Sequence, residues 1–77
     1  MVAKIQLTGK QLARINANPN VYRKAGAQLM GKEILGSEQH LTALKKNLKD
    51  WIADSGEVTL EMDLQPIIDQ IDQAVKK

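Results

Sequence analysis

Apolar and polar positions change their period several times along the chain, and each change marks an element. Ala3, Ile5 and Leu7 alternate with Lys4 and Gln6, the period of a strand with one buried face. Thr8 comes next, with Gln11 three residues on and Leu7 and Leu12 on either side. A hydroxyl and a glutamine at that spacing form a capping box, and the flanking leucines form its apolar staple. A strand is therefore predicted over 2–7 and a helix over 9–16, with Leu12 and Ile15 turned inward.

The stretch NANPN (16–20) interrupts the pattern. Asn18 before Pro19 is a start signal, because asparagine caps and proline lacks only an N–H that the first helical turn leaves unused. A helix from Pro19 to about Leu35 is predicted, with Val21, Tyr22, Ala25, Leu29 and Met30 on one face and Gly36 as a left-handed cap. Gly26 and Gly31 inside it would each weaken it by up to ~1 kcal/mol relative to alanine. Ser37 caps the clearest helix, 38–54, in which Leu41, Leu44, Leu48 and Trp51 form one apolar stripe and Ser55-Gly56 makes the stop. At 57–62 alternation returns: Val58, Leu60 and Met62 against Glu57, Thr59 and Glu61, a second predicted strand. Asp63 then caps a last helix with Pro66 in its first turn, Ile67, Ile68, Ile71 and Val75 inward, and Lys76-Lys77 at its negative end.

The predicted fold class is α+β, mostly helical, in the order β-α-α-α-β-α, with a small two-stranded sheet packed by helices. The alternative is an all-α bundle of three to four helices. Lys4 opposite Glu57 or Glu61 would be a cross-strand attraction worth ~0.2–1 kcal/mol. Length implies a single small domain, 1–77. A chain of this size hides only ~60–65% of the surface its unfolded form exposes. With one Trp, one Tyr and no Phe, its core is aliphatic, and a partner or self-association would add stability.

Charge sharpens the picture. Residues 1–49 hold nine Lys/Arg against Glu33 and Glu38, whereas 50–77 hold seven acids against Lys76 and Lys77. Either the halves neutralise one another, or the basic half meets an acidic partner.

Catalytic chemistry has little to work with. There is no cysteine, so no disulfide or thiolate metal site, and His40 is the only histidine. The pairs Asp50/Asp54 and Asp69/Asp72 read as solvated helix faces, LTGKQ lacks phosphate-loop spacing, and Ser37 and Ser55 sit at helix ends with no base beside them. No enzyme activity, metal or cofactor is expected. No apolar run approaches the ~18 residues of a membrane span, and no signal-peptide pattern opens the chain. Helix 38–54 mixes acids with its lysines, unlike a membrane-surface helix. No membrane partner and a cytoplasmic location are expected.

Lys4 and Gln6 on the outward side of the first strand, followed by two helices with Arg23 and Lys24 after Asn18-Pro19, resemble the ribbon-helix-helix repressors over residues 2–35. The resemblance implies a dimer whose paired strands read DNA, with Lys4, Gln6, Lys10, Arg14, Arg23 and Lys24 as candidate contacts to nucleic acid or an acidic partner. The first helix is shorter than that family's, and its pattern has no second strand downstream. A helix-turn-helix register would put polar Asn16, Asn18 and Arg23 where packing is needed, and aromatic platforms for single strands are scarce. The function expected first is therefore non-enzymatic protein–protein interaction or regulation, in the manner of small bacterial or phage accessory proteins, with a homodimer joined through a strand edge or helix face. DNA binding through the basic N-terminal strand is the alternative.

Overall fold

The alternation at the N-terminus does form a strand. In the computed structural model, which describes residues 3–75, β1 (Ala3–Gln6) leads into α1 (Gly9–Ala17). Val2, the first residue of the predicted strand, and Lys76-Lys77 lie outside the described residues. The expected capping box closes α1: the Gln11 N–H donates to the Thr8 hydroxyl at 3.2 Å, and the Thr8 N–H donates to Gln11 Oε1 at 2.9 Å. Ile15 is buried and Leu12 half-buried, as their spacing predicts.

Residues 19–35 depart from the expected single helix. Asn18-Pro19 starts α2 (Asn20–Arg23), but this helix lasts one turn. Gly26, at φ +85°, ends it. The Ala27 N–H reaches the Tyr22 carbonyl and the Gly26 N–H that of Arg23, the paired bonds of a glycine-terminated helix end. A hairpin follows, β2 (Gln28–Met30) and β3 (Glu33–Gly36), joined by Gly31-Lys32. Gly31 takes φ +61° at the first of the two turn positions, where a tight hairpin demands positive φ. As a helix this stretch would carry two interior glycines; as a hairpin it uses both where only glycine is free of strain. Gly36 is no left-handed cap but the last residue of β3, kept small by His40: a Cβ there would lie 2.9 Å from the histidine Cβ.

The sheet has the order β1-β3-β2, all antiparallel, with Lys4 opposite Leu35, Ile5 opposite Ile34 and Leu29 opposite Ile34. Ile5 and Ile34 are buried, so one face is dry and the other holds Lys4, Gln6, Gln28, Met30, Glu33 and Leu35. β1 thus finds its partner within the chain, and the partner is β3.

Helix α3 (Glu38–Ser55) runs as predicted, from its Ser37 cap to Gly56 at φ +65°. Its third residue is His40, whose Nδ1 accepts the Ser37 N–H where a capping box ordinarily has an acid or amide.

The second predicted strand, 57–62, is instead the start of α4 (Val58–Val75). Leu60, Leu64, Ile67, Ile68 and Ile71 are all buried and fall on one helical stripe, which outweighs six residues of alternation. Leu60 points inward, while Val58 and Met62, one turn apart, share the outward side. Asp63 is therefore interior to the helix rather than its cap, and so is Pro66, whose place on the solvated side lets the missing backbone bond fall where water can replace it. The expected Lys4–Glu57 or Lys4–Glu61 cross-strand pair does not form, since neither acid is in a strand.

The class is the one the pattern predicts: α+β, mostly helical, with a small antiparallel sheet packed by helices, in an order that roughly follows the expected one. The core is wholly aliphatic. Ile5, Ile15, Ile34, Leu41, Leu44, Leu48, Leu64 and Ile71 are sealed from solvent, with Tyr22 and Trp51 packed half-buried at its margin.

Candidate functional site

The six polar residues singled out from the sequence fall into three places. Lys4 and Gln6 project from the open face of the sheet, as their alternation requires. The outer edge of β1 is partly closed at Gln6. The Gln6 N–H donates to Gln70 Oε1 at 3.0 Å, and Gln70 Nε2 donates to the Gln6 carbonyl at 2.7 Å. This side-chain amide occupies the groups a further strand would use, a standard protection against edge pairing. The Gln6 side chain itself donates to Glu33 at 3.2 Å.

Lys10 and Arg14 lie one turn apart on α1, toward α4. Arg14 is a clamp: its Nε donates to Asp63 at 2.9 Å, and its Nη1 lies 3.9 Å from Glu57. Beside it Gln11 is buried, with Oε1 on the Thr8 N–H and Nε2 donating to the Asp63 carbonyl at 3.0 Å. One amide therefore caps α1 and ties it to α4. Arg23 and Lys24 join Asn20 on the outward side of α2, the spacing that places three residues on one face. Val21 turns in, and the Asn47 side chain donates to its carbonyl at 3.0 Å.

The two charged halves neutralise each other only in part. Arg14 with Asp63 and Glu57, and Lys45 with Asp72, are the ion pairs among the described residues. Within that range Lys4, Lys10, Arg23, Lys24, Lys32, Lys46 and Lys49 have no carboxylate in ion-pair contact. Lys32 sits at the hairpin tip, a place that a helix over 19–35 does not contain; Gly31 between two short apolar alternations is the sequence clue to it.

A second surface is not legible in the sequence as a site. Val58 and Met62 are each 68% exposed, the most open large apolar residues among those described. Pro66, a further turn along, is exposed too, as are Ala13 and Ala17 on α1. Between the helices runs a groove lined by Lys10, Ala13, Arg14, Ala17, Thr59, Met62 and Asp63. The contacts Gln11–Asp63 and Arg14–Glu57 set α1 antiparallel to α4. Asp69, two turns beyond Met62 on the exposed side of α4, accepts a bond from Gln65; Glu61 is exposed on the other flank of α4, three turns from the Asp72 that meets Lys45 of α3.

Among the described residues no three His, Asp or Glu side chains gather as metal ligands would. The Ser37 and Ser55 hydroxyls bond their own helix ends. No described helix is long and apolar enough to cross a membrane. No protein-family model, curated protein or solved structure matches the chain.

Proposed function

We propose that this chain is a non-enzymatic docking protein that acts by binding another protein through the face shared by α1 and α4. The observation that carries this reading is the outward stripe Val58–Met62–Pro66 beside Ala13 and Ala17. A chain with so few large apolar residues gains nothing for its own fold by leaving two of them on one side of a helix. Contiguous exposed apolar area with a polar rim is what interaction surfaces present.

A photo-crosslinking residue placed at position 62, in cells producing the chain, should give one discrete adduct. The same residue at position 46, on the far side of α3, should give none, and Val58→Glu should abolish the adduct at 62. The same adducts from both positions, or none from either, would overturn the reading.

A second reading has its own support. Arg23 and Lys24 are exposed with no carboxylate in ion-pair contact among the described residues, which suits phosphate contacts on duplex DNA, while Asp50 and Asp54 line the same hollow as Asn20 and Lys24 and oppose them. If Arg23 and Lys24 touch phosphates, binding falls with salt at a log–log slope of roughly −1.8, about −0.9 per cation. Arg23→Ala with Lys24→Ala should flatten that slope; salt-independent or absent binding removes the DNA reading.

A further inference from the structure

We infer that the protein bound at the α1–α4 face is a second copy of this chain, docked about a two-fold axis so that the α4 helices of the two protomers lie antiparallel. This rests on the docking reading above and names the bound molecule.

The order of charges along the face is the first ground. α1 runs antiparallel to α4, with Arg14 at Glu57 and Asp63 and Gln11 at the Asp63 carbonyl. Lys10 comes one residue before Gln11, between the contacts Gln11–Asp63 and Gln6–Gln70, so it stands at the Pro66 end of the groove. Glu57 stands at the opposite end, immediately before Val58. Lys10 is exposed with no carboxylate in ion-pair contact among the described residues. Glu57 has Arg14 only at 3.9 Å and keeps 61% of its side chain exposed. Between these ends Arg14 is matched by Asp63, and the rest of the surface is Ala13, Ala17, Val58, Thr59 and Met62. A face with a cation at one end and an anion at the other is complementary to itself turned end for end. In an isologous pair each contact occurs twice, so Lys10 of each protomer meets the partner's Glu57. A partner of one charge sign would satisfy one end and oppose the other, whereas a second copy satisfies both.

The apolar register is the second ground. The same rotation, centred between Val58 and Met62, lays Val58 on the partner's Met62 and Met62 on the partner's Val58. Both are exposed, one helical turn apart. The small Ala17 leaves room for the Lys10 stem of the other protomer on its way to Glu57. Like charges stay apart in this register. Asp69 is nine residues beyond the centre at position 60, so its two copies are about 27 Å from each other, well past a Debye length of about 8 Å. Glu61 is on the other flank of α4. The face is short, since α1 has nine residues, about 14 Å. The dimer is therefore of the small, exchanging kind, populated as concentration rises.

The test is sedimentation equilibrium of the full chain over a series of concentrations, with backbone NMR on the same samples. The average mass should rise from one chain toward two, and the signals that move with concentration should be those of Lys10, Ala13, Ala17 and 57–62. Lys10→Glu and Glu57→Lys, both at exposed positions, should each weaken association by about five- to tenfold, because each sets two like-charged pairs across the axis. An equal mixture of the two variants should associate as tightly as the parent chain, since both contacts of the mixed pair then join opposite charges; damage to the fold of either variant would not be rescued by mixing. A single-chain mass at every concentration would overturn the inference. The docking reading then survives if a crosslinker at position 62 still gives one adduct, of a mass other than two chains, and falls if no adduct forms. Concentration-dependent shifts confined to the sheet, or a mixture that associates no better than the single variants, would also overturn this pairing.

Discussion

Gln11 shows how a single side chain can set the relation of two elements. Its residue type at the third position after Thr8 is a local signal, and the local part is legible: the capping box forms. Its burial and its bond to the Asp63 carbonyl are not, because the partner lies 52 residues away. Replacing Gln11 with Ala removes a cap acceptor and leaves buried groups unpaired, so stability in urea should fall by about 1–2 kcal/mol. Arg14 belongs to the same joint. It is legible as a cation but not as a clamp, and its place against Asp63 engages part of its guanidinium within the fold. Gly26 is the other residue-scale constraint. Its φ is +85°, and a Cβ there would lie 3.0 Å from the His40 ring, so a substitution is strained in the backbone and also requires the ring to shift. Gly26→Ala should cost more than Gly31→Ala, since both are strained at positive φ but Gly31 faces open space. Comparing the two denaturation midpoints checks this.

At the scale of elements, the chain is legible where one period runs long and capped, and ambiguous where it is short. Helix α3, with its Ser37 cap, leucine stripe and Gly56 stop, follows from its sequence alone. Residues 57–62 do not, because six residues of alternation also begin an 18-residue helical stripe; burial of Leu60 in phase with Leu64, Ile67 and Ile71 decides between them. The reverse ambiguity lies at 28–36. Apolar residues there fit a helical face, and only glycines at 26, 31 and 36, five apart, punctuate a strand-turn-strand. Both segments have a consequence in solution. The ¹³Cα shifts should be helical for 58–62 and extended for 28–30 and 33–36, and the opposite pattern in either segment would contradict this architecture. The candidate site depends on these assignments. On a strand Val58 and Met62 would share the inward side with Leu60; only a helical period turns them outward on α4.

Across the whole molecule, the asymmetry of charge persists in three dimensions. Two cations of the N-terminal half, Arg14 and Lys45, are taken up by C-terminal carboxylates, while Asn20, Arg23 and Lys24 on α2 and Glu61 and Asp69 on α4 remain on separate surfaces. An exposed apolar stripe on α4 and the exposed cations of residues 23 and 24 are thus carried by one aliphatic core. The core must be insensitive to changes on either. Leu44→Ala, at a sealed position, should cost about 2–5 kcal/mol. The most direct measurement of the docking claim is the double variant Val58→Thr with Met62→Gln, assayed for unfolding by urea and for adduct formation from a crosslinker at position 17. Stability within about 0.5 kcal/mol of the parent is expected, together with loss of the adduct. A loss of several kcal/mol would place both side chains in the core instead, and an unchanged adduct would show that the partner does not use them.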